Sequence, residues 1–519
     1  LKPNHWNRVC NLDDILPNTG VCADLEGRQI ALFRADGWVF ALDNRDPASG
    51  VNILSRGIVG DINGGMVVAS PIYKQHFCLS TGRCLEDAQF SVATYPARVL
   101  DGQVWVRPEP IRLQRAAGKR RLVVIGNGMA GMRTVEELLT IAPDTYEIHV
   151  FGAEPHGNYN RLLLSPVLSG EKQIHEIMLH PFDWYRDHGV TLHAGDPAVE
   201  IDRRRRRVKS RSGVEVPYDR LLLATGSTPV ILPITGNTLP GVVTFRDIQD
   251  VDAMLKAARD RGKAVVIGGG LLGLEAANGL RCQGMDVTVV HLPDILMERQ
   301  LDHAAAKLLQ SSLEQRGLNF KLSAKTSAIL GSSRVQAVAF EDGSELPADL
   351  VVMAVGIRPN IELAMLAGIR CGRGVLVDDT MLTYDPSIYA VGECVQHRDT
   401  TYGLVAPLWE QAAVCARHLA EIGMTHYAGS LLSTQLKVTG INLFSAGDFR
   451  RTARSESLIF NDAKRGVYKH LVIENDQIRG AVLYGDTTDG PWYVELISQR
   501  RNIGPLRNTL LFGALAATA

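Results

Sequence analysis

The stretch that most constrains this chain runs Arg121, Leu122, Val123, Val124, Ile125, Gly126, Asn127, Gly128, Met129, Ala130, Gly131. A buried apolar run meets a G-x-G-x-x-G turn and passes into a segment with Met132, Val135, Leu138 and Leu139 at helical spacing, which predicts strand, turn and helix in that order. Gly126 permits the tight turn, Gly128 lets backbone approach a pyrophosphate, and Gly131 lets the helix pack close to the strand. The helix N-terminus then faces the phosphates. The next apolar run, Ile148 to Phe151, ends near Glu154, where a carboxylate is expected to hold a ribose hydroxyl.

The same signature returns at Ala264, Val265, Val266, Ile267, Gly268, Gly269, Gly270, Leu271, Leu272, Gly273, followed by Leu274, Ala276, Ala277 and Leu280 on an apolar helix face. Two such turns in one chain are far more specific than one. After the second turn the strand Val287 to Val290 ends at His291, where an acid would favour NADH and a base a 2'-phosphate. Histidine leaves that choice open, and an exposed strand-end histidine is the plain alternative.

Three further stretches belong to the same α/β body. Tyr218 to Gly226 is a buried strand ending in Ala224, Thr225 and Gly226, small residues that let backbone pass close to a ligand. Asp349 to Gly356 is another, running into Ile357, Arg358 and Pro359. Tyr389, Ala390 and Val391 lead to Gly392 and Glu393, a glycine and a carboxylate at the strand end where open α/β sheets bind ligands. A helix is expected from about Gly403 through Gln411 to Leu419, its N-terminal amides free to face negative charge.

Residues up to about 107 differ in kind. Short β-rich runs (Ile30 to Phe33, Trp38 to Leu42, Met66 to Ala69, Val104 to Val106) alternate with turns at Asp36-Gly37, Asn63-Gly64-Gly65, Thr81-Gly82 and Asp101-Gly102, predicting a small all-β domain. Pro108 to Arg120 reads as a solvated linker. The expected organisation is an all-β domain at 1–110, a linker at 111–120, one dinucleotide-binding domain at 121–235 and 336–422, a second at 236–335, and a mixed α/β lobe at 423–519. The fold class is α/β, with two Rossmann-like domains.

Composition excludes more than it assigns. Lys plus Arg is 55 and Asp plus Glu 56, so no global field draws the chain to nucleic acid or an anionic membrane. Five arginines at 203–207 read as the solvated face of an exposed hairpin strand rather than a nucleic-acid patch. Eight cysteines without a C-x-x-C pair indicate neither zinc nor a dithiol motif, and reduced cytosolic thiols are expected. No signal peptide and no bilayer-length apolar run is found, so a cytoplasmic location is expected. The chain starts at Leu1, which fits a processed or truncated product or a literally translated start codon.

The order of first fingerprint, Ala224-Thr225-Gly226, second fingerprint and Gly392-Glu393 resembles the two-dinucleotide-domain flavoprotein reductases, whose first site holds FAD and whose inserted second site holds NADH or NADPH. Asn158 to Ser165, Gly268 to Ala277, Met297 to Asp302 and Gly485 to Asp489 look most like the flavoprotein module of assimilatory NAD(P)H nitrite and nitrate reductases. That resemblance implies hydride transfer from NAD(P)H to flavin N5 and electron transfer onward. It also implies Arg161 near the flavin, Glu393 on its ribityl chain, Gly356 in the cofactor-binding set and Glu275 near the nicotinamide, against the plainer reading of Glu275 as a helix-surface carboxylate.

Ser70 to Gly82 follows the second cluster loop of Rieske ferredoxins, with Ser70 where that loop has Cys and Tyr73 where it has His. The earlier loop, Asp43 to Gly57, has neither Cys nor His. A [2Fe-2S] Rieske centre needs two thiolates and two imidazoles, so no metal is expected here and His76 and Cys78 read as loop or core residues. The resemblance is to the small subunit of NAD(P)H nitrite reductase, here ahead of the flavoprotein. No cysteine follows Cys415, so the terminal chemistry is expected on a catalytic partner or a further part carrying sirohaem and iron-sulfur or molybdenum centres, docked by the β domain. No cysteine follows Glu154 closely, which argues against thiol chemistry. A ferredoxin reductase of an oxygenase system and a non-enzymatic NADH-sensing flavoprotein are the alternatives.

Overall fold

The computed structural model describes residues 6–517 apart from 36–37, 63–64, 80, 88–89, 111–118, 423–424, 432 and 439. The Asp36-Gly37 turn, most of the Asn63-Gly64-Gly65 turn and most of the expected linker lie outside the described residues. The chain divides into two compact units, one of residues 1–156, 185–225 and 361–428 and the other of 157–184, 226–360 and 429–519. Among the described residues no helix is long and apolar enough to cross a membrane.

The first unit opens with small antiparallel sheets. Thr19–Leu25, Arg28–Ala35, Trp38–Asp43 and Thr94–Tyr95 form one, and Ile58–Ile62, Gly65–Ala69 and His76–Cys78 another. Alternation places Ala31, Phe33 and Ala35 in one core with Phe77, and Ile30 and Leu32 in a second with Val104. A five-stranded parallel sheet follows, in the order Val190–His193, Tyr146–Phe151, Arg120–Ile125, Arg220–Leu223, Ile388–Ala390. Its middle strand is covered on both faces, which is why Leu122, Val123 and Val124 are consecutive apolar residues. The helices Met129–Ile141 and Val405–Leu419 pack together, and Val123 and Ile125 pack with the hairpin residues Ile201, Val208 and Val216.

The arginine run departs from expectation. Residues 203–206 form the turn between Ala198–Asp202 and Arg207–Ser210, with Arg206 at φ 52°. Asp202 fixes this turn by accepting from the Arg205 amide at 2.9 Å, and Arg203 is drawn off to Asp385 at 2.8 Å. Arg204 to Arg207 remain exposed.

The second unit repeats the parallel sheet in the order Val242–Thr244, Leu350–Met353, Lys263–Ile267, Asp286–Val290, Asn319–Lys321. The two sheets share a register. Leu122 to Ile125 pair with Arg220 to Leu223, and Ala264 to Ile267 with Leu350 to Met353. An aspartate closes the N-terminal edge each time: Asp219 accepts from the Arg121 amide at 2.6 Å, and Asp349 from the Lys263 amide at 2.8 Å. Tyr218 to Gly226 and Ala348 to Gly356 are therefore equivalent stretches, each an Asp, a four-residue strand and Ala-x-Gly.

A five-stranded antiparallel sheet, Ser433–Val438, Ile441–Gly447, Gln477–Tyr484, Val467–Glu474 and Glu456–Asp462 in spatial order, carries the helix Gly490–Ser498 on one face. It is joined to the parallel sheet's layer through Asp302. That carboxylate caps the helix His303–Gln315 by accepting from the Ala305 amide at 2.9 Å, and it also receives the Tyr468 hydroxyl at 2.7 Å and meets His470 Nδ1 at 2.6 Å. Asp302→Ala removes a cap worth about 1 kcal/mol and strands two part-buried polar groups at about 1–3 kcal/mol more. The expected outcome is a lower urea midpoint with a loss of about 2–4 kcal/mol, whereas Asp294→Ala on an exposed loop is the silent control.

Candidate functional site

In the first unit the sequence-predicted residues gather at the C-terminal ends of four adjacent strands. Gly126 follows Arg120–Ile125 at φ 114°, and a Cβ there would lie 2.1 Å from the Ala224 carbonyl oxygen. Only glycine fits that backbone and that approach. Gly131 is constrained by the same contact, its missing Cβ standing 2.8 Å from the Gly126 oxygen and 2.9 Å from Ala224 Cβ. Gly128 caps the helix Met129–Ile141 with extended backbone and no side-chain cap bond, and its Cβ direction is open space. The first amides of a thirteen-residue helix thus point into an open cradle with about half a positive charge behind them.

The neighbouring strand ends complete the cradle. Gly392 lies at φ 92°, its Cβ direction 3.0 Å from Ala130 Cβ, and its amide donates to Gln411 Oε1 at 2.9 Å. Gln411 is fully buried, and its Nε2 has no hydrogen-bond partner within the described structure. A buried amide left without a partner costs free energy, and an acceptor delivered by a ligand removes that cost. Glu154 and Glu393 are part-exposed at the strand ends. Asn127, inside the turn, was not singled out from sequence: its Nδ2 donates to the His156 carbonyl at 3.2 Å and its Oδ1 accepts from Tyr185 at 2.7 Å, which ties the Glu154 loop to the turn.

The second unit builds the same turn again. Gly268 lies at φ 125°, its Cβ direction 2.2 Å from the Ala354 oxygen, and Gly273 sits 1.9 Å from the Gly268 oxygen by the same measure. Gly270 caps the helix Leu271–Cys282 and, like Gly128, faces open space. Gly356 follows at φ 120°. Gly226 begins the second unit's next segment, where its carbonyl accepts from the Asn360 amide at 2.9 Å.

Glu275, on the helix after this turn, is not a surface carboxylate. It accepts from the Ser165 hydroxyl at 2.7 Å, and burial pushes its carboxyl above the ordinary value, with the Ser165 hydrogen bond pulling the other way. Ser165 lies on Leu164–Ser169, a short helix packed on the Glu275 helix. Arg161, also in this unit, donates to the Arg246 carbonyl at 2.9 Å and stands over the Tyr159 ring at 5.2 Å. His291 is not exposed either; it is buried, and both ring nitrogens are engaged.

In the β domain, Ser70 and Asp46 are both fully buried, and the Ser70 hydroxyl donates to Asp46 Oδ2 at 2.5 Å. His76 Nδ1 faces Glu86 at 2.6 Å, Cys78 and Cys84 are buried, and Tyr73 is exposed. Among the described residues no group of three or more His, Cys, Asp or Glu is arranged to hold a metal ion.

The sequence pattern of the pyridine nucleotide-disulphide oxidoreductase family matches residues 120–418. The chain belongs to that family. It is an oxidoreductase, and membership implies binding of FAD and NAD(P)H, which the two open glycine cradles and the unpartnered Gln411 amide fit. The Rieske-like [2Fe-2S] domain pattern matches residues 5–107, and that of the rubredoxin NAD+ reductase C-terminal domain residues 433–501. Similar proteins include the nitrite reductase [NAD(P)H] of Bacillus subtilis, 50% identical over 386 residues, 74% of this chain and 48% of the relative. The assimilatory nitrate reductase electron transfer subunit of the same organism is 46% identical over 393 residues, 76% of this chain and 51% of the relative. The chain spans about half the length of these curated relatives. Among solved structures, the covalent putidaredoxin reductase–putidaredoxin complex superposes with a TM-score of 0.69 over 75% of this chain and 95% of that one, at 24% identity, a likeness of fold.

The native protein holds the Glu275 proton more tightly than the unfolded chain does, so stability falls as pH rises from the ordinary 4.5 through the raised native value. Ser165→Ala removes the hydrogen bond that favours the carboxylate and extends this falling segment to higher pH. Glu275→Gln abolishes it. Thermal midpoints of the three proteins measured across pH 4 to pH 8 check both outcomes.

Proposed function

We propose that this oxidoreductase is the NAD(P)H-accepting flavoprotein part of a nitrite- or nitrate-reducing system of nitrogen assimilation, passing electrons to a redox centre on a catalytic partner. The observation that carries it is the repetition of one open glycine turn, once per unit, in a chain about half identical to nitrite reductase [NAD(P)H] over most of its length. In this reading Gly126, Gly128, Gly131, Glu154, Ala224, Thr225, Gly392 and Glu393 of the first unit hold FAD. Gly268, Gly270, Gly273 and Gly356 hold NAD(P)H, and His291, both of whose ring nitrogens are engaged, braces the second turn rather than touching the ligand.

Bound FAD supplies acceptance of a hydride from NAD(P)H and release of electrons to an acceptor. The protein's own residues bind and orient. The helix amides behind Gly128 and Gly270 neutralise pyrophosphate charge without reorganising, because backbone fixes them. Glu275, desolvated and steadied by Ser165, offers a weakly basic carboxylate beside the second turn, suited to fixing a carboxamide or holding a proton there.

We further infer that the Rieske-like domain holds no cluster. The oxygens of Ser70 and Asp46 satisfy one another inside the loops where thiolates and imidazoles are required. The domain then serves as a docking module for the partner that bears sirohaem and iron-sulfur or molybdenum centres.

The test is an anaerobic absorption spectrum of the purified chain before and after stoichiometric NADH or NADPH, then with nitrite. A flavin spectrum that bleaches and stays bleached with nitrite supports an electron-input part. Iron-sulfur or sirohaem bands, or prompt reoxidation by nitrite, overturn the cluster-free reading and the need for a partner. Removal of residues 1–110 is expected to leave dye reduction within about twofold while abolishing electron delivery to the partner reductase; equal loss of both counts against the docking role.

A further inference from the structure

The two glycine turns match in backbone and differ in what stands beyond the second strand. The first has Glu154; the second has His291, whose ring is fully committed. Its Nδ1 lies 3.0 Å from the Gly269 amide, which can only donate, so Nδ1 is the acceptor and the proton of the neutral ring sits on Nε2. Nε2 in turn lies 3.0 Å from Glu298 Oε2. A histidine spent this way has no free nitrogen to offer a phosphate. It braces a carboxylate against the middle residue of the turn.

The segment carrying that carboxylate is fastened to the same residue by backbone. The Met297 amide donates to the Gly269 carbonyl at 3.1 Å, so Gly269 holds this segment directly through its carbonyl and, by way of the His291 ring, through its amide. Met297 is buried and lies at φ 53°, a left-handed conformation uncommon outside glycine, asparagine and aspartate, which persists only where the surroundings enforce it. Leu296 Cδ2 and the His291 ring each stand 2.8 Å from where a Cβ on Gly269 would be, so the second position of this turn is itself restricted to glycine. The product of these constraints is Glu298, more than a third of its side chain open to solvent, held at the end of strand Asp286–Val290. That is the place where a dinucleotide fold reads the adenosine ribose.

We propose that Glu298, positioned by His291, accepts the hydrogen bonds of the adenosine ribose hydroxyls and makes the second site select NADH over NADPH. This rests on the second turn being the nicotinamide dinucleotide site. A carboxylate takes both hydroxyl donors of a ribose at once, and it repels the dianion of a 2'-phosphate. Arg299, the next residue, is exposed and is the cation on the same segment that a 2'-phosphate would need.

The experiment uses the full chain loaded with FAD and compares kcat/KM for NADH and NADPH with ferricyanide as acceptor. The wild type is expected to prefer NADH at least tenfold. Glu298→Gln lowers that preference tenfold or more, through a raised KM for NADH with kcat held within about threefold, and Glu298→Asp recovers part of it. His291→Ala follows Glu298→Gln, while Arg299→Ala leaves NADH kinetics unchanged. Retained NADPH turnover and flavin content in Glu298→Gln show that the fold is intact; if that variant is unstable, Glu298→Asp carries the comparison. A wild type that prefers NADPH, or an unchanged preference in Glu298→Gln or, in its place, Glu298→Asp, overturns the assignment. Should neither dinucleotide bleach the wild-type flavin, the parent reading fails instead, so the two failures are distinguishable.

Discussion

Each half of this protein depends on a glycine lying against a carbonyl oxygen of the neighbouring strand: Gly126 on Ala224 and Gly268 on Ala354. A side chain at either glycine would collide with backbone, which cannot move aside as a flexible side chain does, and would also need a left-handed conformation costing about 1–3 kcal/mol. The contact therefore fixes two things together. It brings the Ala-x-Gly strand end level with the fingerprint strand, and it turns the chain so that the following helix starts with its amides facing outward. The aspartates at the opposite edge, Asp219 and Asp349, lock the same pair of strands by accepting from a backbone amide at the start of each fingerprint strand, Arg121 and Lys263. With both ends pinned, the register has no freedom left, and the glycine cradle inherits that rigidity.

From this common frame the two turns diverge in one residue with large consequences. Asn127 uses its side chain to reach the His156 carbonyl and Tyr185, so the loop bearing Glu154 is held by an amide group. Gly269 has no side chain, because the His291 ring and Leu296 occupy that space, and it holds the segment of Glu298 directly through its carbonyl and, by way of the His291 ring, through its amide. Side-chain tethering in one copy is replaced by backbone tethering in the other. The same turn geometry can thus present carboxylates from different depths of the chain to different ligands.

Much of this frame was legible from residue order. The glycine spacings, the consecutive apolar runs of doubly covered strands and the alternation of the β domain each have a single physical cause, so the expected fold class and the strands around both turns agree with the structure. What escaped were relations between residues far apart in sequence. Nothing near Ser165 announces that its hydroxyl meets Glu275, 110 positions on; that pairing exists only because two helices pack. His291 read as either a ligand contact or an exposed strand end, because strand patterning carries no information about Met297, after whose left-handed turn Glu298 meets the ring. The arginine run was read by strand alternation, and the competing signal was Asp202, a turn-former placed three residues before Arg205. The equivalence of Tyr218 to Gly226 with Ala348 to Gly356 was present in the letters themselves, as an Asp and an Ala-x-Gly at matching distances.

The β domain poses the inverse case, in which the proposal keeps a fold while the chemistry of its loops changes. A cluster normally crosslinks two loops, and a domain proposed to do without one must join them by other means. Asp46 supplies that join: one oxygen receives the buried Ser70 hydroxyl, and the other accepts from the Ala48 and Ser49 amides at 2.9 and 3.3 Å. Asn44 braces the earlier loop within itself by accepting from the Ser55 amide at 2.8 Å. A hydrogen bond to a charged group contributes about 1.5–3 kcal/mol, and leaving one buried partner unpaired costs about as much. The bond between Asp46 and Ser70 joins the two loops through side chains alone, and Ile72 and Tyr73 stay exposed beside Ser70. Under the docking role proposed above, loops crosslinked by Asp46 and the exposed Ile72 and Tyr73 are the features that a partner would meet.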